Sequence, residues 1–144
     1  DWNKVESRDN ASYSRIITFN SDNLNSPIGW VKDYYRPSGN LQWKGKFSYY
    51  EIENENNNIR QGLITWYYDS SEKTKSRESF FYNGELEGET TYWHENGKVH
   101  SIEKYEDGLK NGTFEFFTDK GVIYRSIDYV NGIIDGYYYF VKQC

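Results

Sequence analysis

The sequence predicts an all-β protein, a single domain that forms an elongated, twisted antiparallel meander of repeated β-hairpins. Composition is the first of three reasons. The 144 residues include 15 Tyr, 8 Phe and 5 Trp, but one Ala and no Met. Helix interiors favour Ala, Leu and Met, whereas aromatic and β-branched side chains fit the pleated surface of a sheet. A chain of this length is expected to form one domain with its own core.

Glycine spacing is the second reason. Three series of glycines share a spacing of 24 residues, namely Gly84, Gly108 and Gly132; Gly88, Gly112 and Gly136; and Gly97 and Gly121. A fixed period of this size is typical of repeat architectures, in which each unit buries its face only against its neighbours. The chain is therefore predicted to consist of repeats of about 24 residues.

Turn chemistry is the third reason. Asn or Asp precedes glycine at Asn83-Gly84, Asn96-Gly97, Asp107-Gly108, Asn111-Gly112, Asn131-Gly132 and Asp135-Gly136. Such pairs favour the tight turns that join antiparallel strands. Between the turns, aromatic residues recur at the fourth and fifth positions after a glycine, as Phe116 and Phe117 do after Gly112. Each unit is therefore predicted to be a hairpin whose alternate residues share a face.

The elements follow from this register in chain order. Residues 1–27 lack the glycine pattern and are predicted to form a degenerate N-terminal capping segment, because terminal repeats must present a different outer face. The repeats are predicted to occupy residues 28–144, as units near 28–52, 62–84, 88–108 and 112–132 and a half unit at 136–144. The polar segment 53–58 (ENENNN) is predicted to be a solvated loop.

Three segments repeat a glycine, a short aromatic strand and an Asn-Gly or Asp-Gly turn. They are residues 86–101 (LEGETTYWHENGKVHS), 110–125 (KNGTFEFFTDKGVIYR) and 134–142 (IDGYYYFVK). In this pattern the chain resembles variant MORN-repeat proteins, in particular the YwqK-like antitoxin family of bacteria. The resemblance covers residues 62–142, with a further copy at 31–47. It implies a bacterial interaction module and transfers no catalytic residue.

Charge narrows the classes of partner. The formal net charge is −5 and the mean hydropathy is −0.97. Nucleic-acid grooves and anionic membranes call for clustered Lys and Arg, so neither is an expected partner. No stretch approaches the roughly 20 apolar residues of a membrane span, so membrane insertion is not expected. If a signal peptide was removed before Asp1, a periplasmic or extracellular location is favoured over the cytoplasm.

No group of residues in the sequence indicates an enzyme, and we expect neither a cofactor nor a metal site. His94 and His100 flank the Asn96-Gly97 turn, but a zinc site needs three or four ligands. Both histidines are expected to be solvated turn residues. Cys144 is the single cysteine, so it cannot form a disulfide within the chain and is expected to be an exposed terminal thiol.

Aromatic and acidic side chains are the candidates for binding. Among the consecutive tyrosines at 137–139, at least one must point away from the core, because successive strand residues face opposite sides. Glutamates alternate at 85, 87 and 89, so an extended strand would place them on one face. The predicted binding residues are Trp66, Tyr68, Glu85, Glu87, Glu89, Trp93, Tyr137 and Tyr139. Alternatively, the N-terminal segment or a second copy of the chain covers the face of the sheet that points away from the core.

These features favour a non-catalytic protein–protein interaction or scaffold module. The expected partner is another protein or a second copy of the chain, since exposed Tyr and Trp dominate protein interfaces. One alternative is an antitoxin or immunity protein, whose acidic charge would suit a basic toxin. Another is a surface carbohydrate binder that stacks its exposed aromatic rings on sugars.

Overall fold

The computed structural model describes residues 3–6, 13–19, 29–49, 57–136 and 139–140. These residues form β-strands and no α-helix, which confirms the predicted all-β class. The strands are β1 (Asn3–Glu6), β2 (Tyr13–Phe19), β3 (Gly29–Tyr35), β4 (Leu41–Tyr49), β5 (Ile59–Tyr68), β6 (Ser71–Tyr82), β7 (Glu85–Trp93), β8 (Val99–Glu106), β9 (Leu109–Lys110), β10 (Gly112–Phe117), β11 (Ile123–Val130), β12 (Ile133–Ile134) and β13 (Tyr139–Phe140). Within the described ranges, no helix could span a membrane.

The strands form one antiparallel sheet in which each strand lies beside the next one along the chain, from β1 to β8. The short strands β9 and β10 both pair with β8, and β12 and β13 both pair with β11. Each of these two pairs therefore acts as one interrupted strand. The predicted antiparallel meander is confirmed.

The hairpin turns use the residues that the sequence indicates. Asn83, Asp107 and Asn131 have φ angles of 48°, 47° and 49°, and the glycine after each also has a positive φ. Two successive residues with positive φ define the type I′ turn, whose twist matches that of paired strands. The amide of each turn glycine also donates to a carbonyl of the preceding hairpin, as Gly108 does to Leu86 at 3.0 Å.

Two of the predicted turn pairs have another role. Asn111-Gly112 and Asp135-Gly136 do not form tight turns, because neither Asn111 nor Asp135 has a positive φ. Instead their amides bond to the neighbouring strand, Asn111 to the Lys104 carbonyl at 2.9 Å and Asp135 to the Asp128 carbonyl at 2.8 Å. The glycines thus mark interruptions within a strand, a common position for a glycine with left-handed backbone.

Most of the buried side chains lie on one face of the sheet, which we call the inner face. Cross-strand partners share a face, and a row of such partners crosses the sheet. Its buried members are Ile17, Val31, Ile64, Ser79, Thr90, Phe114 and Ile127. The opposite side is called the outer face. This row, with the buried Phe47 and Phe81 beside it, forms the core on one face of a single sheet.

The repeat glycines face aromatic rings across the sheet. Gly62 lies opposite Phe81, Gly88 opposite Tyr105 and Gly112 opposite Tyr129. The Phe114 ring packs between two of these rings, with centroids 5.5 Å from Tyr105 and 4.7 Å from Tyr129. Successive hairpins are thus joined by aromatic contacts over positions where glycine leaves room.

Candidate interaction surface

A buried ion pair occupies the N-terminal part of the inner face. Arg15 on β2 donates from Nε and Nη2 to the two carboxylate oxygens of Asp33 on β3, at 2.8 Å each. The Trp43 indole Nε1 donates to the same carboxylate at 2.6 Å. Such a bidentate, further hydrogen-bonded pair satisfies a buried carboxylate. The cluster therefore has a structural role.

A second cation on the inner face covers one of the predicted binding residues. The Arg77 guanidinium lies 4.6 Å from the ring centroid of Trp66 and 5.3 Å from that of Tyr92, its cross-strand neighbours on β5 and β7. Its Nε donates to Ser79 Oγ at 2.8 Å. Burial raises the pKa of the Tyr92 phenol. Trp66 is thus half-buried beneath an arginine.

One end of the hairpins carries a ladder of side-chain hydrogen bonds. This end, where the loops 36–40, 69–70, 94–98 and 118–122 lie, is called the loop edge. A side chain of one hairpin bonds in each case to a backbone carbonyl of the next hairpin: Tyr35 Oη to Tyr67 at 3.0 Å, Tyr68 Oη to Trp93 at 2.5 Å and His94 Nε2 to Phe117 at 3.0 Å. The structure therefore brings two predicted binding residues, Tyr68 and Trp93, together. Burial, and secondarily the charge of Glu95, raises the pKa of Tyr68. Tyr68 Oη is already used within the fold.

The two histidines meet at the same edge. Their rings are half-buried and lie edge to face, with centroids 4.8 Å apart. They therefore differ from the solvated turn residues that the sequence predicts, because the His94 ring bridges to the next hairpin. Among the described residues, no group of three or more His, Cys, Asp or Glu side chains is arranged to hold a metal ion.

The predicted acidic residues lie towards the opposite edge, near the tight turns. Glu87 accepts the backbone amide of Asp107 at 3.0 Å, which ties one hairpin to the next turn. Glu89 accepts the Thr91 hydroxyl at 3.3 Å, and Glu85 lies opposite Tyr82. A shallow cleft of about 380 Å³ is lined by Glu87, Gly88, Glu89, Lys104, Tyr105, Glu106 and Asn111. Lysine and glutamate thus share this cleft.

The remaining predicted binding residues lie near the C-terminus. Tyr137 is outside the described residues. Tyr139 lies in β13, opposite Ser126 of β11. Among the described members of the predicted set, Trp66 is on the inner face, Tyr68 and Trp93 are at the loop edge, and the glutamates are near the turn edge.

The outer face presents a group of large apolar side chains that the sequence analysis missed. Trp30, Leu63, Phe80 and Tyr82, here called the outer patch, have exposed fractions of 42%, 52%, 41% and 59%. Leu63 and Phe80 are direct cross-strand partners on β5 and β6. Phe80 and Tyr82 are two residues apart and therefore face the same side. One signal was present: Phe80, Phe81 and Tyr82 are three consecutive aromatics, and Phe81 is the buried one.

Sheet register connects Trp30 to the rest of the outer patch. Trp30 is the partner of Lys46 on β4, and Lys46 is the partner of Gln61 on β5, two residues from Leu63. The Lys46 ammonium lies 5.1 Å from the Trp30 ring centroid. Three lysines, here called the lysine cluster, adjoin the outer patch on β3 and β4: Lys32, Lys44 and Lys46. The surface therefore combines apolar and cationic side chains.

Comparisons of the chain with protein-family models, with curated proteins and with solved structures find no match. The resemblance to variant MORN-repeat proteins therefore stays a prediction. The outer patch and the lysine cluster are interpreted from their own geometry and chemistry.

Proposed function

We propose that this protein is a non-catalytic interaction module whose protein partner docks on the outer patch. The observation that supports this proposal is the exposure of four large apolar side chains, between 41% and 59%, on strands β3, β5 and β6 of one face. Scattered exposed apolar residues are ordinary, whereas a contiguous group flanked by polar residues is typical of an interaction site.

The residue types of the outer patch suit protein recognition. Tryptophan and tyrosine are enriched among the residues that dominate binding energy, because each buries a large apolar area and offers a polar atom. The patch also lies on paired strands, so the backbone that carries its side chains is fixed before a partner arrives. Such preorganisation lowers the entropic cost of association.

Other aromatic groups are engaged within the fold. On the inner face, Trp66 and Tyr92 pack against Arg77. At the loop edge, Tyr68 bonds to the next hairpin. These contacts stabilise the stacking of repeats, so these rings are less available to a partner than those of the outer patch.

The proposal is tested by affinity capture with a patch variant. The wild-type protein, Leu63→Ser/Phe80→Ser and the control Leu109→Ser/Val122→Ser are immobilised and incubated with extract of the source organism. The control removes two apolar side chains of similar exposure, 50% and 57%, away from the patch. Circular dichroism checks that all three proteins fold.

We expect one protein to be captured in stoichiometric amount by the wild type and by the control, and to be lost with Leu63→Ser/Phe80→Ser. Purified partner and titration calorimetry then give the loss of affinity, which should be at least tenfold because two central contacts are removed. The identity of the partner distinguishes a scaffold from an antitoxin, for which it would be a toxin. Equal capture by all three proteins would contradict docking on the outer patch.

A further inference from the structure

We infer that the partner segment bound at the outer patch is an acidic protein segment that also carries aromatic or branched aliphatic side chains. This inference rests on the proposed function and adds the charge of the partner. It follows from the balance of charge around the patch, which is opposite in sign to the net charge of the whole chain, −5.

Among the described residues, the lysine cluster has little acidic compensation. On the strands β2, β3 and β4 the single carboxylate is Asp33. Asp33 is 2% exposed, lies on the inner face and is bound to Arg15. Across the described part of the chain, no carboxylate forms a salt bridge with Lys32, Lys44 or Lys46.

The described carboxylates beyond β4 leave this local excess in place. Along the row of cross-strand partners through Lys44 and Thr65, the first carboxylate is that of Glu78 on β6. Glu78 is already paired with the Lys75 ammonium at 2.6 Å and accepts the Thr65 hydroxyl at 3.1 Å. On the far side of the patch, Glu85 lies next to Tyr82 rather than next to a lysine.

The spacing of the lysines concentrates their charge. Lys32 and Lys44 are direct cross-strand partners, so their Cβ atoms are expected about 5 Å apart. Lys44 and Lys46 project from the same face of β4, roughly 7 Å apart along the strand. Like charges directly opposite one another destabilise a sheet. An acidic partner would relieve this repulsion when it binds, which adds to its affinity.

An anionic membrane is a less suitable partner for the lysine cluster than an acidic protein segment. Lipid surfaces attract a basic segment by about 1 kcal/mol per Lys or Arg, and recognisable lipid-binding clusters contain roughly four to eight such residues. This cluster has three lysines on a chain whose net charge is −5. Acidic residues elsewhere would be repelled by the membrane, whereas a protein segment can contact the lysine cluster and outer patch alone.

The test is a selection from a displayed library of random linear peptides of about 12 residues on the immobilised full chain. We expect the selected peptides to be enriched in Asp and Glu together with Trp, Phe or Leu. A synthetic copy of the leading peptide is then titrated against the wild type, Lys32→Glu/Lys46→Glu and the control Lys104→Glu/Lys120→Glu. Both lysine pairs are exposed. The two variants also change the net charge equally, because each replaces two lysines with two glutamates.

The acidic peptide should bind Lys32→Glu/Lys46→Glu on the order of ten times more weakly than the wild type, and the control nearly as well as the wild type. Its affinity should also fall several-fold between low and high salt. If Lys32→Glu/Lys46→Glu does not fold, Lys32→Gln/Lys46→Gln replaces it with the same expected direction.

Three outcomes would overturn the inference. Selected peptides that need Leu63 and Phe80 but are neither acidic nor sensitive to the lysine variant would refute the acidic partner and leave the docking site intact. Peptides unaffected by Leu63→Ser/Phe80→Ser would refute both proposals. Lysine-dependent binding to vesicles of equal parts phosphatidylcholine and phosphatidylserine, without acidic peptides in the selection, would show that the surface binds lipid instead.

Discussion

Asp33 receives two guanidinium N–H groups from Arg15, each at 2.8 Å, although the residues are 18 positions apart and lie on different strands. Both side chains are almost fully buried, with side-chain exposures of 2% and 9%. Desolvation of two charges is costly, and their attraction offsets this cost only because the geometry is bidentate and Trp43 adds a third donor. The pair directly links β2 to β3 on the inner face.

Removing one member of this pair should lower the free energy of unfolding more than removing both. We expect Asp33→Asn to lower the free energy of unfolding by about 3 to 5 kcal/mol, because the buried Arg15 guanidinium loses its bidentate carboxylate partner. The double variant Arg15→Met/Asp33→Leu should lose less than the single variant, since no buried charge remains. Urea unfolding of both variants and the wild type measures this. A double variant at least as unstable as Asp33→Asn would contradict the interpretation.

The close contact between β4 and β5 at Gly45 makes a second prediction. A Cβ atom on Gly45 would lie 2.7 Å from Cγ1 and 3.0 Å from Cγ2 of Ile64, a side chain with no exposed surface. We expect Gly45→Ala to lower the free energy of unfolding by about 1 to 3 kcal/mol through overpacking. Ile64→Ala should cost about 2 to 5 kcal/mol by leaving a cavity.

The double variant Gly45→Ala/Ile64→Ala shows whether contact with Ile64 causes the loss of stability in Gly45→Ala. The new methyl group should occupy part of the cavity, so the double variant should lose less stability than the two single losses combined. Thermal unfolding of the four proteins gives this coupling energy. Additive losses would mean that Gly45 is required for backbone reasons rather than for its contact with Ile64.

The loop-edge hydrogen bonds make a third prediction. Tyr68→Phe should lower the free energy of unfolding by about 1 kcal/mol, because it leaves the Trp93 carbonyl without its 2.5 Å donor. Tyr34→Phe is the matched control, since the Tyr34 hydroxyl forms no hydrogen bond with the rest of the described chain. Native-state hydrogen exchange should show faster exchange near residues 93–98 in Tyr68→Phe alone. Equal effects of the two variants would show that the ladder adds no stability.

The meander could be predicted from the sequence because its turns are local. A type I′ turn needs two successive residues with positive φ, so Asn83-Gly84 and its counterparts 24 and 48 positions later identify hairpins without long-range information. The turn predicted from the same pair at Asn111-Gly112 is wrong, since dipeptide chemistry does not distinguish a turn from an interruption within a strand.

The core row could not be predicted from residue type. The second position after the repeat glycine is almost fully buried in three units, yet it holds Ile64, Thr90 and Phe114, each at most 1% exposed. Burial there is set by the neighbouring hairpins rather than by the residue itself. The aromatic residues at the fourth and fifth positions are the most regular feature of the repeats in the sequence, yet Phe116 and Phe117 are only half-buried.

To predict the outer patch, the register of strand pairing is needed as well as the alternation of side chains along each strand. The run Phe80, Phe81 and Tyr82 implies that one side chain or two face outwards. Nothing in the sequence, however, places Trp30 or Leu63 beside them, because these residues lie 50 and 17 positions before Phe80. Pairing across four strands brings them together. The same pairing aligns Lys32 with Lys44, so the charge of this surface also depends on tertiary structure.

The Tyr105 phenol makes the protein sensitive to alkaline pH. Burial chiefly, and then the hydrogen bond to Glu103 at 2.7 Å and the charge of that carboxylate, raises the pKa of Tyr105 above its ordinary value of about 10. As the pH rises through 10, the unfolded chain therefore loses this proton before the folded chain does. The folded state then binds more protons, so the free energy of unfolding decreases with increasing pH.

The stabilisation linked to this proton should be fully present below pH 10 and disappear as the pH rises towards the folded pKa of Tyr105. We expect Tyr105→Phe to have a shallower decrease in the free energy of unfolding between about pH 9 and 11 than the wild type, because its side chain has no proton to lose. Some decrease should remain, since burial also raises the pKa of Tyr92 and Tyr68. Urea unfolding at several pH values measures the slopes, with Tyr82→Phe, which removes an exposed hydroxyl, as the control. A slope for Tyr105→Phe equal to that of the wild type would mean that Tyr105 ionises alike in both states.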